Sequence, residues 1–290
     1  MIEHQNCRVC NSSESKKIHP FYIDFKDTRF FYRRCKSCKT TFLTPTPSQA
    51  MFEEIYSAQN YHNVHDEDNV KFGKYHESVS ILLNRFATDS TKVLDYGCGF
   101  GDFIKEMKSN NYNIVGAEFD SEAVNIAKQR TKCEIFHIED LDKVESKFQL
   151  IHLGDVLEHL TDPIDKLNSL SKILTDDGYF YIEGPLEDNS SLVLFFSKLY
   201  LKLKLVIEKD AKRYGIPAHL TRFTRNSQKN FFLLLEDSFE IVYWSVYESG
   251  FPYINNGHIK HFIARLSILI SKIIGPNIIG SRFRIILKKI

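Results

Sequence analysis

The sequence predicts an α/β protein with a doubly wound, mostly parallel sheet, preceded by a small metal-binding segment. Between residues 91 and 183, short apolar runs alternate with helical patterns of about ten residues. This alternation is typical of βαβ crossovers, whose helices cover both faces of a parallel sheet. The second observation is a pair of Cys-x-x-Cys motifs near the N-terminus, formed by Cys7 with Cys10 and by Cys35 with Cys38.

The composition excludes several classes of protein. The 290 residues include 38 Lys and Arg against 37 Asp and Glu, and the net charge of +1 gives no electrostatic reason to expect a nucleic-acid partner. No run approaches the roughly 20 apolar residues that span a bilayer. The first residues lack the basic and apolar regions of a secretory signal. We therefore expect a cytoplasmic protein.

The cysteine pairs predict a zinc ribbon over residues 1–45. Four thiolates suit the tetrahedral coordination of Zn²⁺, and the residues between the pairs indicate two strands, at 21–25 and 29–33. Four sulfurs leave no open coordination position, so we expect a structural ion held by Cys7, Cys10, Cys35 and Cys38. Disulfides and unliganded thiols are the alternatives, and a reducing compartment disfavours the disulfides.

Residues 46–90 are predicted to link the ribbon to the main domain. The sequence Thr-Pro-Thr-Pro at 44–47 ends the ribbon, and Ser48 can cap a short helix that runs through Tyr56. The polar stretch from 57 to 69 indicates a loop, which is either solvated or a lid that places Tyr61 against a substrate. Apolar residues at helical spacing then predict an amphipathic helix over 71–87.

The main domain is predicted over residues 91–290. Strands are predicted at 92–96, 112–117, 133–138, 148–153, 178–183, 238–244 and 282–287. Helices are predicted at 101–110, 121–130, 163–174, 190–209, 224–236 and 257–274, and a helical insert occupies about 186–218. The apolar side of the 257–274 helix is compatible with a lid, a dimer face or core.

The turn after the first of these strands indicates a binding site for a nucleoside. Glycines at 97, 99 and 101 give the pattern G-x-G-x-G, whereas a dinucleotide site requires a third glycine at 102, where Asp102 stands. Glu118 ends the next strand, where an acidic side chain accepts hydrogen bonds from ribose hydroxyls. Asp95, at the tip of the first strand, can meet an ammonium group. These residues suit a nucleoside that carries an amino acid.

Four segments resemble the motifs of class I S-adenosylmethionine-dependent methyltransferases, in the family's order. They are residues 93–101, 115–118, 148–160 with its Leu-Glu-His ending, and 174–183. The resemblance implies a Rossmann-like seven-stranded sheet whose last strand is antiparallel, with S-adenosylmethionine as the cofactor. It implies cofactor contacts at Asp95, Gly97, Cys98, Gly99, Gly101, Glu118, Phe119, Glu139, Leu153 and Asp155.

The cysteine segment extends the resemblance to a subfamily with an N-terminal zinc-binding segment. That subfamily includes sugar methyltransferases of surface-glycan and antibiotic pathways. Two positions depart from the family pattern. Gln149 stands where the family has Asp, and the turn after the third strand is shortened, so that Ile138 and Glu139 become the candidates for contact with adenine.

Methylation of a hydroxyl requires a base, and histidine is the usual one near neutral pH. His159 follows the strand predicted at 148–153, and His219 follows the helical insert. Both are expected at the side of the sheet where an acceptor would bind, so they are the candidates, whereas His152 lies inside a strand. Arg222 is a candidate substrate contact. The basic insert indicates an anionic small-molecule acceptor, a peripheral contact with anionic lipid, or a solvated helix face.

We therefore expect a methyltransferase that acts on an oxygen of a sugar, a nucleotide sugar or another phosphorylated metabolite. The alternatives are a lipid, quinone, RNA or protein acceptor, and a non-catalytic module that binds S-adenosylmethionine.

Overall fold

The protein is described by a computed structural model. The structure describes residues 6–57, 78–88, 90–144, 147–207, 216–254, 257–275 and 277–290, with only the backbone at 19–21, 201 and 204–207. The predicted lid residue Tyr61, its neighbours His62 and His65, and the first part of the predicted 71–87 helix lie outside this set. Within the described part, residues 78–83 are helical, in agreement with the prediction there.

Besides the helical residues 78–83, the described residues form eleven strands and seven α-helices. The strands are β1 (Ser15–Phe25), β2 (Thr28–Cys35), β3 (Thr41–Thr44), β4 (Lys92–Tyr96), β5 (Asn113–Glu118), β6 (Ile135–His137), β7 (Phe148–Gly154), β8 (Leu174–Pro185), β9 (Thr221–Arg222), β10 (Phe239–Tyr247) and β11 (Arg282–Lys289). The helices are α1 (Gln49–Ile55), α2 (Asp102–Ser109), α3 (Ser121–Thr131), α4 (Pro163–Ser171), α5 (Leu192–Ile207), α6 (Arg225–Leu233) and α7 (Gly257–Ile274).

The main sheet has seven strands in the order β10-β11-β8-β7-β4-β5-β6. Strands β4 to β8 run parallel to one another, and β11 is antiparallel to both β8 and β10. The predicted doubly wound sheet with an antiparallel last strand is therefore confirmed. The chain leaves β4 toward β5 and β6 and returns to β7 on its other side. Ligands of such sheets bind at this switch point, beyond the carboxyl ends of the strands.

Burial explains why the central strands are almost continuously apolar. Four of the five residues of β4 are buried, because helices cover both faces of the sheet. One apolar cluster contains Val93, Phe103 and Met107, and the other contains Leu94, Ile151 and Phe283. Alternate side chains of β4 thus point into cores on opposite sides of the sheet.

A second, four-stranded sheet joins the N-terminal segment to the main domain. Its order is β1-β2-β3-β9, and all of its pairs are antiparallel. The predicted strands at 21–25 and 29–33 lie within β1 and β2, whereas β3 and β9 were not predicted. Strand β9 comes from the region after the helical insert, and it pairs Arg222 with Thr41 and Thr221 with Phe42.

Helix ends follow local capping chemistry. Ser48, Asp120 and Thr224 each accept a hydrogen bond from a backbone N–H in the first turn of α1, α3 and α6, respectively. The unusual Gln149 also has a local partner, since its Oε1 accepts a hydrogen bond of 2.7 Å from the backbone N–H of Lys92. Among the described residues, no helix is both long enough and apolar enough to cross a membrane.

Candidate active site and metal centre

The turn after β4 has the backbone that its three glycines predict. Gly97, Gly99 and Gly101 have φ values of 77°, 53° and 83°, in the left-handed region that disfavours side chains. A Cβ added at Gly97 would lie 2.5 Å from Cγ2 of Val156, and one at Gly101 would lie 2.5 Å from Cγ2 of Thr131. The turn is therefore closed tightly against the residues that follow β7 on one side and against α3 on the other.

Glu118 ties this turn to the end of β5. One carboxylate oxygen accepts a hydrogen bond of 2.7 Å from the backbone N–H of Gly99, and the other accepts bonds from Phe119 at 2.7 Å and Asp120 at 3.3 Å. The side chain is buried, with 6% of its residue surface exposed. The carboxylate therefore sits between the glycine turn and the start of α3, the position at which the sequence predicts ribose recognition.

Asp95 lies within the sheet and hydrogen-bonds to the neighbouring strand. The Nδ1–H of His152 donates to its carboxylate at 2.7 Å, and both residues are almost fully buried. The imidazole is stacked between the rings of Phe103, at 3.9 Å, and Tyr181, at 5.3 Å. His152 is thus a core residue, as its place inside a strand predicts.

The other predicted cofactor residues have different surroundings. Cys98 is buried, and burial together with nearby carboxylates raises the pKa of its thiol well above the usual value. Phe119 packs edge-on against Phe52 of α1 at 5.3 Å. Leu153 is fully buried in the core, while Glu139 extends from the turn after β6 with 76% of its side chain exposed.

Asp155 follows β7 and forms an ion pair with Arg282 of β11. Its φ of 57° is left-handed, and its backbone N–H donates to the carbonyl of Glu183 at 2.9 Å. The carboxyl end of β7 is therefore held to β8 and β11 by both backbone and side chain.

His159 is buried immediately after this point. Its Nδ1–H donates to the carbonyl of Ala218 at 2.8 Å, and its ring contacts Tyr56 of α1 edge-on at 5.2 Å. Burial, reinforced by His219, lowers the pKa of His159 to about 3. Its imidazole is therefore neutral at physiological pH.

His219 lies beside His159, with 4.9 Å between the ring centroids. Its Nδ1–H donates to the Glu187 carboxylate at 2.7 Å, and Arg222 approaches the same carboxylate at 3.1 Å. Burial alone would lower the pKa of His219, but the Glu187 carboxylate raises it overall. Burial would likewise raise the pKa of Glu187, yet Arg222 and His219 lower it to about 2. The result is a carboxylate–histidine pair with a neighbouring guanidinium.

The cysteine-bearing sheet supports the loop that carries His219. The Tyr32 hydroxyl donates to the carbonyl of His219 at 2.9 Å. The backbone N–H of Leu43 donates to the carbonyl of Leu220 at 2.8 Å. On its other side, the N–H of Leu220 donates to the carbonyl of Glu158 at 2.8 Å. The His219 loop is therefore fixed between β3 and the turn after β7.

Asp188 is a second link between the two sheets. Its carboxylate accepts hydrogen bonds from the Thr41 hydroxyl at 2.5 Å and from Arg34 at 3.0 Å, and Lys198 lies 3.5 Å away.

Glu158 completes the cluster around the two histidines. Burial, assisted by Asp155, raises its pKa to about 7, and its Oε2 has no hydrogen-bond partner among the described residues. Glu158, His159 and His219 each place one possible ligand atom within 4.8 Å of the others. The short contact to the His159 ring comes from the carbonyl of Ala218, while the Glu158 Oε1 is 3.9 Å from Nε2 of His159.

The four N-terminal cysteines converge on one point. The Sγ atoms of Cys7 and Cys38 are 3.6 Å apart, as are those of Cys10 and Cys35, and all four lie within 4.8 Å of one another. All four are free thiols. Sulfurs bound at about 2.3 Å to one tetrahedral zinc ion lie about 3.8 Å apart. The thiols therefore have the spacing of a zinc site. They are too far apart for disulfides, which require about 2 Å between the two sulfurs.

Glu187 and Tyr56 lie in the candidate site but were not among the candidates drawn from the sequence. Glu187 had a signal, because it follows the Gly-Pro that ends β8 and so lies at the carboxyl edge of the sheet, where ligands bind. The sequence marks Tyr56 as the end of a short helix but does not pair it with His159, which it reaches through the packing of α1 onto the main domain.

Comparison with known proteins defines the class of this fold and site. A sequence model described as a methyltransferase domain matches residues 72–237. The chain therefore belongs to the methyltransferase-domain family, within the class of S-adenosylmethionine-dependent methyltransferases.

Individual relatives agree with this class. A tRNA U34 carboxymethyltransferase of Campylobacter jejuni is 29% identical over 120 residues, which are 38% of this chain and 41% of the relative. A ubiquinone biosynthesis O-methyltransferase of Actinobacillus pleuropneumoniae is 28% identical over 125 residues, 39% and 47% of the two chains. The chain thus spans less than half the length of these relatives.

The fold has counterparts among solved structures. Magnesium protoporphyrin IX methyltransferase from Synechocystis PCC 6803, with bound SAH, has a TM-score of 0.56 at 12% identity, covering 84% of this chain and 100% of that one. The plantazolicin methyltransferase BamL, in complex with a triazolic desmethylPZN analog and SAH, has a TM-score of 0.51 at 16% identity, covering 83% of this chain and 96% of that one.

Proposed function

We propose that the protein transfers the methyl group of S-adenosylmethionine to a hydroxyl of a small anionic acceptor, with a sugar or nucleotide sugar as the favoured class. The observation that carries the proposal is the pairing of His219 with Glu187 in a loop that is tied to the turn after β7. Val156, which packs on Gly97, is two residues before Glu158, and the Glu158 carbonyl holds the His219 loop. The loop of His219 is therefore tied to the turn after β7, and Val156 of that same turn packs on the glycine turn.

Cofactor binding in this proposal uses the turn from Gly97 to Gly101 and the carboxylate of Glu118. The turn brings the backbone close to the adenosyl group, and Glu118 accepts hydrogen bonds from the ribose hydroxyls. Bound there, S-adenosylmethionine supplies an electrophilic methyl group. The chain's contribution is to hold the acceptor in line, which can contribute about 7–11 kcal/mol through effective molarity.

His219 is the base in this proposal. Its Nδ1–H is donated to Glu187, so Nε2 is the ring nitrogen that can take the acceptor's proton. His159 also donates its Nδ1–H, but to a neutral carbonyl, and its pKa is lowered to about 3. It is therefore a much weaker base, and we assign it to positioning the His219 ring.

The charge around the base favours an anionic acceptor. Arg34, Arg222 and Lys198 surround the carboxylates of Glu187 and Asp188, and these five groups have a net charge of +1. Protonation of His219 during the reaction adds a further positive charge. Arg222 also stacks on the Tyr32 ring at 3.7 Å, so its guanidinium is held in one orientation to meet a carboxylate or phosphate.

We further propose that Cys7, Cys10, Cys35 and Cys38 bind one structural zinc ion. Four sulfurs complete the coordination of the ion, so its role is to stabilise the ribbon. Because the ribbon sheet includes β9, this metal site also supports the loop of His219. Thiolate ligands persist in a reducing compartment, which is why we place the protein in the cytoplasm.

A screen of acceptors tests this proposal. Purified protein is incubated with S-adenosylmethionine and with pools of nucleotide sugars, sugar phosphates and their uncharged sugars, and formation of S-adenosylhomocysteine is measured. We expect turnover with a charged pool and little with the matched uncharged pool. Turnover only with RNA, with a quinone or with a protein would replace the proposed acceptor class. Binding of S-adenosylmethionine without turnover in any pool would favour a non-catalytic module.

Metal analysis shows whether the four cysteines or the cluster of Glu158, His159 and His219 binds a metal ion. Protein purified without added metal is expected to contain about one zinc ion per chain, and that ion should be lost from Cys38→Ser. A second ion that is lost from His219→Ala would instead place a metal on Glu158, His159 and His219, and would contradict the role of His219 as a free base.

A further inference from the structure

Helix α7 packs with its small residues inward and its large apolar residues outward. Ala264, Ser267 and Ser271 are buried, and the two serine hydroxyls donate to Glu248 and to the carbonyl of Ile279, at 3.1 and 2.8 Å. The opposite stripe consists of Ile259, Phe262, Leu266, Leu269 and Ile273. Because these five recur every three or four residues, they share one side of the helix.

This orientation is the reverse of that of an ordinary surface helix. Phe262 is 66% exposed and Ile273 is 73% exposed, although side chains of this kind normally supply the buried stripe. Single exposed apolar residues need no explanation, but a contiguous exposed set marks an interaction surface.

Helix α5 extends the surface. It contacts α7, and its own exposed apolar residues are Phe195, Phe196, Leu199, Tyr200 and Leu203. We call these five and the five of α7 the apolar face.

The charges of the two helices indicate what covers the apolar face. Neither helix contains Asp or Glu, whereas together they contain six cations, Lys198, Lys202, Lys204, Lys260, Arg265 and Lys272. Lys198 is paired with Asp188. A second copy of this chain would bring the same cations against each other, which is unfavourable. An anionic surface with an apolar interior matches both the charge and the apolar side chains.

We propose that α5 and α7 dock the protein on an anionic lipid surface, with both helices in the plane of the interface. The inward side of α7 is held by the protein, so only its outward side is presented to lipid. The proposal does not depend on the methyl-transfer reaction. It does have a consequence for that reaction, since Lys198 of α5 donates to the carbonyl of Glu187 at 2.9 Å and the lipid surface would therefore adjoin the acceptor site.

Sedimentation with vesicles tests the proposal. The 290-residue chain is mixed with vesicles of phosphatidylcholine alone or of phosphatidylcholine with an equal amount of phosphatidylglycerol. We expect cosedimentation with the anionic vesicles, weakened by salt, and little with the neutral ones. The double variant Phe262→Glu, Leu269→Glu should bind at least about tenfold more weakly, because two large apolar side chains no longer enter the interface.

Leu234→Glu is the matched control, because Leu234 at the end of α6 is 53% exposed and Leu269 is 54% exposed. It should bind vesicles like the unaltered protein. Equal binding by the double variant and the control would overturn the proposal. So would a dimer, seen by light scattering without lipid, that the double variant converts to a monomer. Circular dichroism and thermal melts check that all variants are folded, and retained S-adenosylmethionine binding checks the main domain separately.

Discussion

Replacing Glu187 by Gln removes the charge that orients His219 and keeps the size of the side chain. The bond between Glu187 and the Nδ1–H of His219 is short, at 2.7 Å, and charge-assisted. Bonds of this type contribute about 1.5–3 kcal/mol. If that stabilisation is fully present when His219 takes the proton, kcat should fall by about 10- to 150-fold. Affinity for S-adenosylmethionine should not change, because Glu187 does not contact the glycine turn.

The same substitution should shift the dependence of activity on pH in a definite direction. His219 must be deprotonated to act, so activity rises as the pH increases through its pKa, which Glu187 raises above the ordinary value. In Glu187→Gln that pKa falls, and the rising limb of the profile moves to lower pH while the plateau is reduced. Asp188→Asn is the control, because it removes a neighbouring charge that does not contact His219. The assay is initial rate of S-adenosylhomocysteine formation against pH. An unmoved limb in Glu187→Gln would refute the assignment of His219 as the base.

Three further predictions concern binding and stability. Glu118→Gln should weaken S-adenosylmethionine binding in calorimetry by about 10- to 150-fold. In the unaltered protein both carboxylate oxygens accept from backbone N–H groups, and the amide of the variant must turn its NH2 group toward one of these donors. An unchanged Kd would contradict this prediction. Gly97→Ala should lower Tm and cofactor affinity together, since its Cβ would lie 2.5 Å from Val156 Cγ2; wild-type values would show that the turn adapts. Cys38→Ser should lose zinc and should raise KM for the acceptor more than Kd for the cofactor, because β9 loses support. Equal effects on KM and Kd would contradict the claim that the metal site supports the loop of His219.

The geometry of the turn that we propose to bind the cofactor was predictable, because its residues are local in sequence. The G-x-G-x-G pattern fixes the backbone of the turn, and Glu118 is found by its place at the end of the next strand. The spacing of Cys7, Cys10, Cys35 and Cys38 similarly predicts their convergence. In each case, a short segment with its own geometry determines where the side chains lie.

The region that we propose to bind the acceptor was only partly predictable, because tertiary pairing builds it. Strand β9 has two residues, too few for an alternating pattern, and it exists because β3 supplies its hydrogen-bond partners. The partnership of His219 with Glu187 likewise joins the end of β8 to a loop beyond the insert. For α7, periodicity predicts the apolar stripe through Phe262 and Leu269. It does not predict whether this stripe faces the core or the solvent, because the opposite side, with Ala264, Ser267 and Ser271, can also pack against the core.

The most direct measurement of the central claim is a crystal structure of the protein with S-adenosylhomocysteine. We expect the adenosyl group against the turn from Gly97 to Gly101, both ribose hydroxyls on the Glu118 carboxylate, and the sulfur directed toward His219. A complex in which the ligand binds elsewhere, or soaked crystals in which this crevice takes no ligand at all, would contradict the account.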